Sequence, residues 1–197
     1  MRVLIACEYS GRVRDAFRAA GHDAWSVDFE ATEADPRWHV QGDVVPMLNR
    51  GWDLMIAFPP CTYLTRANAW RWGKITMERL EALEFVRLLM SAPVPRIAIE
   101  NPAGAIGTQI RRADQYVQPW NFREPFQKTT GLWLDNLPLL VPEVTVRPAD
   151  VRAYIDNRPR TAGSLSGAGG VRRSKDRSRT FAGIARAMAA QWGPLLP

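Results

Sequence analysis

The hydrophobic positions of this chain alternate between short continuous runs and stretches with helical spacing. Val3 to Cys7 is an apolar run that predicts a strand, and a turn follows at Ser10-Gly11. Val13, Ala16, Phe17 and Ala20 then recur at helical spacing until Gly21 ends the pattern, so the opening reads strand, turn, helix. Ala24 to Val27 predicts a second strand ending at Asp28, and a turn-rich stretch leads to Gly42-Asp43-Val44. Trp52 to Phe58 is apolar throughout, the pattern of a strand covered on both faces of a parallel sheet, and it stops at Pro59-Pro60. Thr76 to Met90 predicts a helix with Met77, Leu80, Leu83, Val86 and Met90 on its apolar side and Thr76 as its cap. Further strands are predicted over Arg96 to Ile99, just before Glu100-Asn101-Pro102, and over Thr130 to Leu134. Strands alternating with helices predict an α/β fold, a doubly wound and mostly parallel sheet that binds ligands at the carboxyl ends of its strands.

With 197 residues, 46% hydrophobic and 23% charged, the composition predicts a single globular domain and excludes a wholly disordered chain. No apolar run approaches the ~20 residues that cross a bilayer, and no export signal stands at the start, so a cytoplasmic protein is expected. The two cysteines, Cys7 and Cys61, are then expected to be thiols. Charge is unevenly placed: residues 1–146 hold 16 Lys and Arg against 17 Asp and Glu, whereas residues 147–197 hold 10 against 3. A basic stretch at about 147–180, Gly/Ser/Arg-rich from residue 157, predicts a mobile loop before a closing helix at about 181–192.

Candidate chemistry gathers at strand ends. Pro59-Pro60-Cys61 stiffens the turn after a buried strand and presents a thiol where α/β enzymes bind ligands, which suits a nucleophile. A small buried hydrophobe is the alternative for Cys61. Glu100 closes the next strand, 39 positions later. A thiolate and a carboxyl group at adjacent strand ends can converge on one planar substrate, the first attacking and the second protonating. Tyr9-Ser10-Gly11, Asp28 and Asp43 form a third set: the first turn of such a fold approaches a nucleotide-like ligand, and an acid after the second strand accepts from ribose hydroxyls. A plain tight turn and two solvated aspartates are the alternative.

Together these residues resemble the DNA cytosine-5 methyltransferases, and more closely the short methyltransferase-like proteins of phages and prophages. The resemblance implies the Rossmann-like sheet of S-adenosylmethionine-dependent methyltransferases. It implies that Pro59, Pro60 and Cys61 are the nucleophile motif and that Glu100 and Asn101 supply the carboxyl group for cytosine N3. It places S-adenosylmethionine on Tyr9, Ser10 and Gly11, with Phe58 and Pro59 beside it, Asp28 on its ribose and Asp43 near its adenine. No metal is implied. Three departures stand out: Cys7-Glu8-Tyr9-Ser10-Gly11 replaces the usual Phe-x-Gly-x-Gly-Gly, Pro102 replaces the valine after Glu-Asn, and no Gln-x-Arg-x-Arg motif is present. Gln127-Lys128-Thr129-Thr130 takes a comparable place, making Lys128 a candidate contact to the base or its phosphate.

On 197 residues, the separate target-recognition domain of longer members is not expected. Contacts to DNA, duplex or single-stranded, are therefore expected from loops: Arg66, Arg71, Trp72 and Lys74 after the thiol, and Arg172, Arg173, Lys175 and Arg177 in the basic tail. Cations interleaved with aromatics suit phosphate contacts and base stacking. Two other readings stand beside this one: the same chemistry on single-stranded DNA or a free pyrimidine nucleotide, and a non-catalytic DNA-binding protein on a methyltransferase scaffold.

Overall fold

The computed structural model describes residues 1–65, 76–153 and 178–195. Five parallel strands carry the first half of the fold: β1 (Arg2–Ala6), β2 (Asp23–Asp28), β3 (His39–Gln41), β4 (Leu54–Ala57) and β5 (Ile97–Pro102). β6 (Gln115–Val117) and β8 (Thr130–Asp135) complete a seven-stranded sheet in the order β3-β2-β1-β4-β5-β8-β6. β8 runs antiparallel to both of its neighbours. A separate parallel pair joins β7 (Phe126–Gln127) to β9 (Arg152–Ala153).

Alternation along the central strands decides which helix covers which face. Val3 and Ile5 of β1 and Leu54 and Ile56 of β4 pack with Val13 and Phe17 of α1 (Arg12–Ala19) and with Met188 and Trp192 of α4 (Ala182–Trp192). Leu4, Met55 and Ala57 face the other way, onto Leu83, Val86 and Leu89 of α2 (Met77–Met90). Both faces are covered, as the unbroken apolar run at β4 predicts. α3 (Ala105–Gln109) is a short helix directly after β5. No helix among the described residues is long and apolar enough to cross a membrane.

Several details differ from the sequence reading. β5 does not stop at Ile99: its pairing with β4 ends at Ala57↔Ile99, but β8 carries it onward through Glu100↔Leu132, Asn101↔Gly131 and Pro102↔Thr130. The buried stripe of α2 is Arg79, Leu83, Val86 and Leu89, while Met77 and Leu80 are 68% and 46% exposed. Those two line up at helical spacing with Glu84 and Arg87, on the solvent side. Thr76 stands at the N-cap in extended conformation, but its side chain makes no capping bond to the helix backbone. β1 ends one residue early, since Cys7 turns into the left-handed region with φ 58°. The closing helix begins after Phe181, and Glu124 Oε1 accepts from the Gly183 N–H at 2.9 Å, an anionic group at the positive end of α4. Residues 154–177, the body of the expected basic loop, lie outside the described residues.

Candidate active site

The chain leaves β4 through Phe58, whose N–H donates to the Ala6 carbonyl at 2.9 Å and so prolongs the pairing with β1 by one residue. Phe58 is half-buried against the α1/α4 core, and Pro59 is buried. The Asn101 side chain then reaches across from β5: its Nδ2 donates to the Pro59 carbonyl at 2.8 Å. Pro60, Cys61, Thr62 and Tyr63 emerge into solvent before Leu64 returns to the core at 1% exposure. The Leu64 and Thr65 N–H groups each donate to the Cys61 carbonyl at 3.0 Å, which winds the turn tightly. Cys61 is exposed and not disulfide-bonded, so the buried-hydrophobe alternative does not hold for it.

Glu100 sits on the neighbouring strand, half-buried. Burial pushes its carboxyl above the usual carboxylate range, favouring the protonated acid, while the Lys128 ammonium and a hydrogen bond from the Thr130 hydroxyl pull the other way. The Lys128 ammonium is therefore close enough to Glu100 to act on its titration. Thr130, 1% exposed, is a partner of Glu100 that no local sequence pattern marks. Only the antiparallel register, Pro102↔Thr130 beside Glu100↔Leu132, brings it to the carboxyl group.

The first turn is built around a second carboxyl group. Glu8 is 4% exposed, and its Oε1 accepts from the Ser10 hydroxyl at 2.8 Å and from the Val13 N–H at 2.9 Å. It thereby serves the unpaired N–H groups at the start of α1, a task the N-cap residue Gly11 has no side chain to perform. Burial raises Glu8 above its ordinary value while these bonds lower it. Gly11 has φ +73°, and a Cβ there would stand 2.6 Å from the Ala34 Cβ and 2.7 Å from the Arg14 guanidinium, so only glycine fits this turn. Tyr9 is buried, with its hydroxyl hydrogen-bonded to Ser178 at 3.0 Å.

Asp28 and Asp43 converge on the same end of the sheet. Burial pushes the Cys7 thiol up to about 12, and the negative charges of Asp28 and then Asp43 add to that rise, which places both acids around the end of β1. Each is oriented by a turn: Asp28 Oδ1 accepts from the Glu30 N–H at 2.9 Å and Asp43 Oδ1 from the Val45 N–H at 3.0 Å. Phe29, 74% exposed beside Asp28, offers an aromatic face there that no periodic signal in the sequence marks. The structure thus places Cys61, Asn101 and Glu100 at or beyond the adjoining ends of β4 and β5, and Cys7, Asp28 and Asp43 around the end of β1 beside the first turn. The proposed DNA contacts Arg66, Arg71, Trp72 and Lys74, and likewise Arg172, Arg173, Lys175 and Arg177, lie outside the described residues.

No family model matches the sequence, and no curated protein matches it. Among solved structures, the fold is similar to an E. coli prophage-encoded protein assigned as a DNA modification methyltransferase. That match has a TM-score of 0.50 at 17% identity and covers 75% of this chain and 52% of the other. It is also similar to the Dnmt2 methyltransferase of S. pombe, with a TM-score of 0.51 at 16% identity, covering 77% of this chain and 58% of the other. The chain therefore spans just over half the length of the structures it matches. At these identities the likeness is one of fold: the seven-stranded sheet with its antiparallel β8 is the Rossmann-like sheet of these methyltransferases.

Proposed function

We propose that this chain is an S-adenosylmethionine-dependent methyltransferase that modifies cytosine at C5 in DNA. One observation carries the reading: an exposed thiol follows β4 and a carboxyl group biased toward its protonated form lies on the adjacent strand β5, and Asn101 ties the two strand ends together. A structural core has no use for that arrangement, whereas addition to a pyrimidine needs both halves of it. The methyltransferase fold of the sheet agrees.

Cys61, as the thiolate, adds to C6 of cytosine. The electron pair of the 5,6 double bond moves toward C5, while the Glu100 carboxyl gives its proton to N3 and stabilises the ring charge. Asn101 holds the Pro59 carbonyl, and with it the rigid approach to Cys61. The first turn fits the cofactor: Asp28 and Asp43 supply acceptor oxygens for its hydroxyls and amine, and the open face of Phe29 suits an adenine ring. Bound there, S-adenosylmethionine supplies the electrophilic methyl group that C5 takes. Loss of the C5 proton to a base then expels the Cys61 thiolate, and N3 returns its proton to the Glu100 carboxylate, which restores the ring and the acid. In duplex DNA the target base must first leave the stack, at a cost of a few kcal/mol.

The test is covalent trapping. Fluorine at C5 of cytosine cannot leave as a proton does, so incubation with S-adenosylmethionine and 5-fluorocytosine DNA is expected to yield a protein–DNA adduct that Cys61→Ala abolishes. Duplex DNA, single-stranded DNA and the mononucleotide are compared in parallel. Absence of an adduct on both DNAs despite cofactor binding transfers the chemistry to the nucleotide, and absence of cofactor binding overturns the methyltransferase reading.

A further inference from the structure

We infer that Gly104 is a positioning residue for the nucleophile, a role that rests on the reading of Cys61 proposed above. The turn carrying Cys61 is fixed at both ends to the stretch of chain that follows Glu100. At the near end, Pro59 is buried and its carbonyl accepts from Asn101 Nδ2 at 2.8 Å. At the far end, Leu64 is 1% exposed and its carbonyl accepts from the Ala105 N–H at 2.7 Å. Thr65 and Gly104 form an isolated antiparallel bridge beside that bond. The four exposed residues Pro60 to Tyr63 are the span between these two anchors, and Cys61 lies within it.

The second anchor depends on the missing side chain at position 104. A Cβ built on Gly104 collides with the Leu64 carbonyl oxygen and stands 2.9 Å from the Leu64 carbonyl carbon and 3.0 Å from the Thr65 Cα. All three are backbone atoms, so no rotamer change relieves the clash. The backbone of Gly104 is extended, with φ 175°, so conformational freedom is not the reason for glycine here; close approach is. Any side chain pushes residues 64 and 65 away from β5. Those two residues supply the N–H groups that wind the turn onto the Cys61 carbonyl, at 3.0 Å each. Displacement at position 104 is thereby transmitted to the thiol, while Glu100, held by β8, stays in place.

Two full-length variants test this. Gly104→Ala introduces the clash. Ala105→Pro breaks the same anchor from the other side, exchanging the N–H that donates to Leu64 for the proline Cδ at the first position of α3, where the helix itself tolerates proline, and it decides the matter if Gly104→Ala does not fold. In both, Cys61–DNA adduct formation is expected to slow by about 100-fold, the penalty for a misplacement of an ångström, with DNA and cofactor affinities unchanged. Amide hydrogen exchange at Leu64 and Thr65 is expected to accelerate. A folded variant that traps DNA at the wild-type rate overturns the assignment. Should wild-type protein form no adduct, the cytosine-5 reading falls first, and the exchange rates together with Cys61 alkylation by iodoacetamide decide the role of Gly104: both altered in Ala105→Pro upholds the anchor, both unchanged overturns it.

Discussion

Asn101 and Pro59, 42 residues apart in sequence, are joined by a buried hydrogen bond of 2.8 Å that fixes the β4 exit to β5. Asn101 Oδ1 is buried with no hydrogen-bond partner among the described residues, so this side chain is held for what its amide nitrogen does. Asn101→Ala leaves the Pro59 carbonyl buried and unpaired, at a cost of about 1–3 kcal/mol. Urea denaturation is expected to show that loss, together with slower adduct formation by Cys61. A variant as stable as the wild type and equally fast in trapping would separate Asn101 from the nucleophile.

The two thiols are expected to differ sharply in reactivity. Cys61 is exposed, whereas Cys7 is pushed up to about 12 by burial and by Asp28 and Asp43. At pH 8 iodoacetamide is expected to modify Cys61 in the native protein and to reach Cys7 only after unfolding. Peptide mass spectrometry reads both sites, and comparable native labelling of Cys7 would contradict the placement of the two acids around it.

How far the sequence reveals this site follows from the range of the interactions. Apolar runs report strands buried on both faces, so β1, β4 and the Pro-Pro-Cys exit are legible from residues alone. Polar partnerships across strands are not: the Thr130 bond to Glu100 depends on antiparallel register, and the Ala105 bond to Leu64 depends on a turn meeting a strand end. Glu8 shows the limit most clearly. Its sequence position marks no role for it, yet it is buried and accepts from the N–H of Val13 at the start of α1, where Gly11 offers no side-chain cap. β3 and β6 escape notice for another reason, being three residues each and too short to show a period.

Glu100 ties stability to pH. Burial raises its folded-state value above that of the unfolded chain, about 4.3, so the folded protein holds the proton more tightly. The resulting stabilisation is fully present below the unfolded value and is lost as pH rises through the folded one. Glu100→Gln does not titrate, and Glu8, raised by burial as well, is common to both proteins and cancels in the difference. Wild type minus Glu100→Gln stability is therefore expected to decrease between pH 4 and pH 8 in denaturant melts. An increase over that range would mean that the carboxylate is the better-accommodated form.

Lys128 offers the complementary measurement, because its ammonium lowers the Glu100 value that burial raises. If the carboxyl must be protonated to give its proton to N3, adduct formation declines on the alkaline side as Glu100 ionises. Lys128→Met removes the charge that favours ionisation, so that alkaline limb is expected to move to higher pH. Thr130→Val removes the hydrogen bond and is expected to shift the limb in the same direction, without altering charge at the mouth of the site. A Lys128→Met profile with its limb unmoved, alongside weakened DNA binding, would assign the lysine to phosphate instead; a limb moved by both variants places it with Glu100 as the group that sets the working pH of the acid.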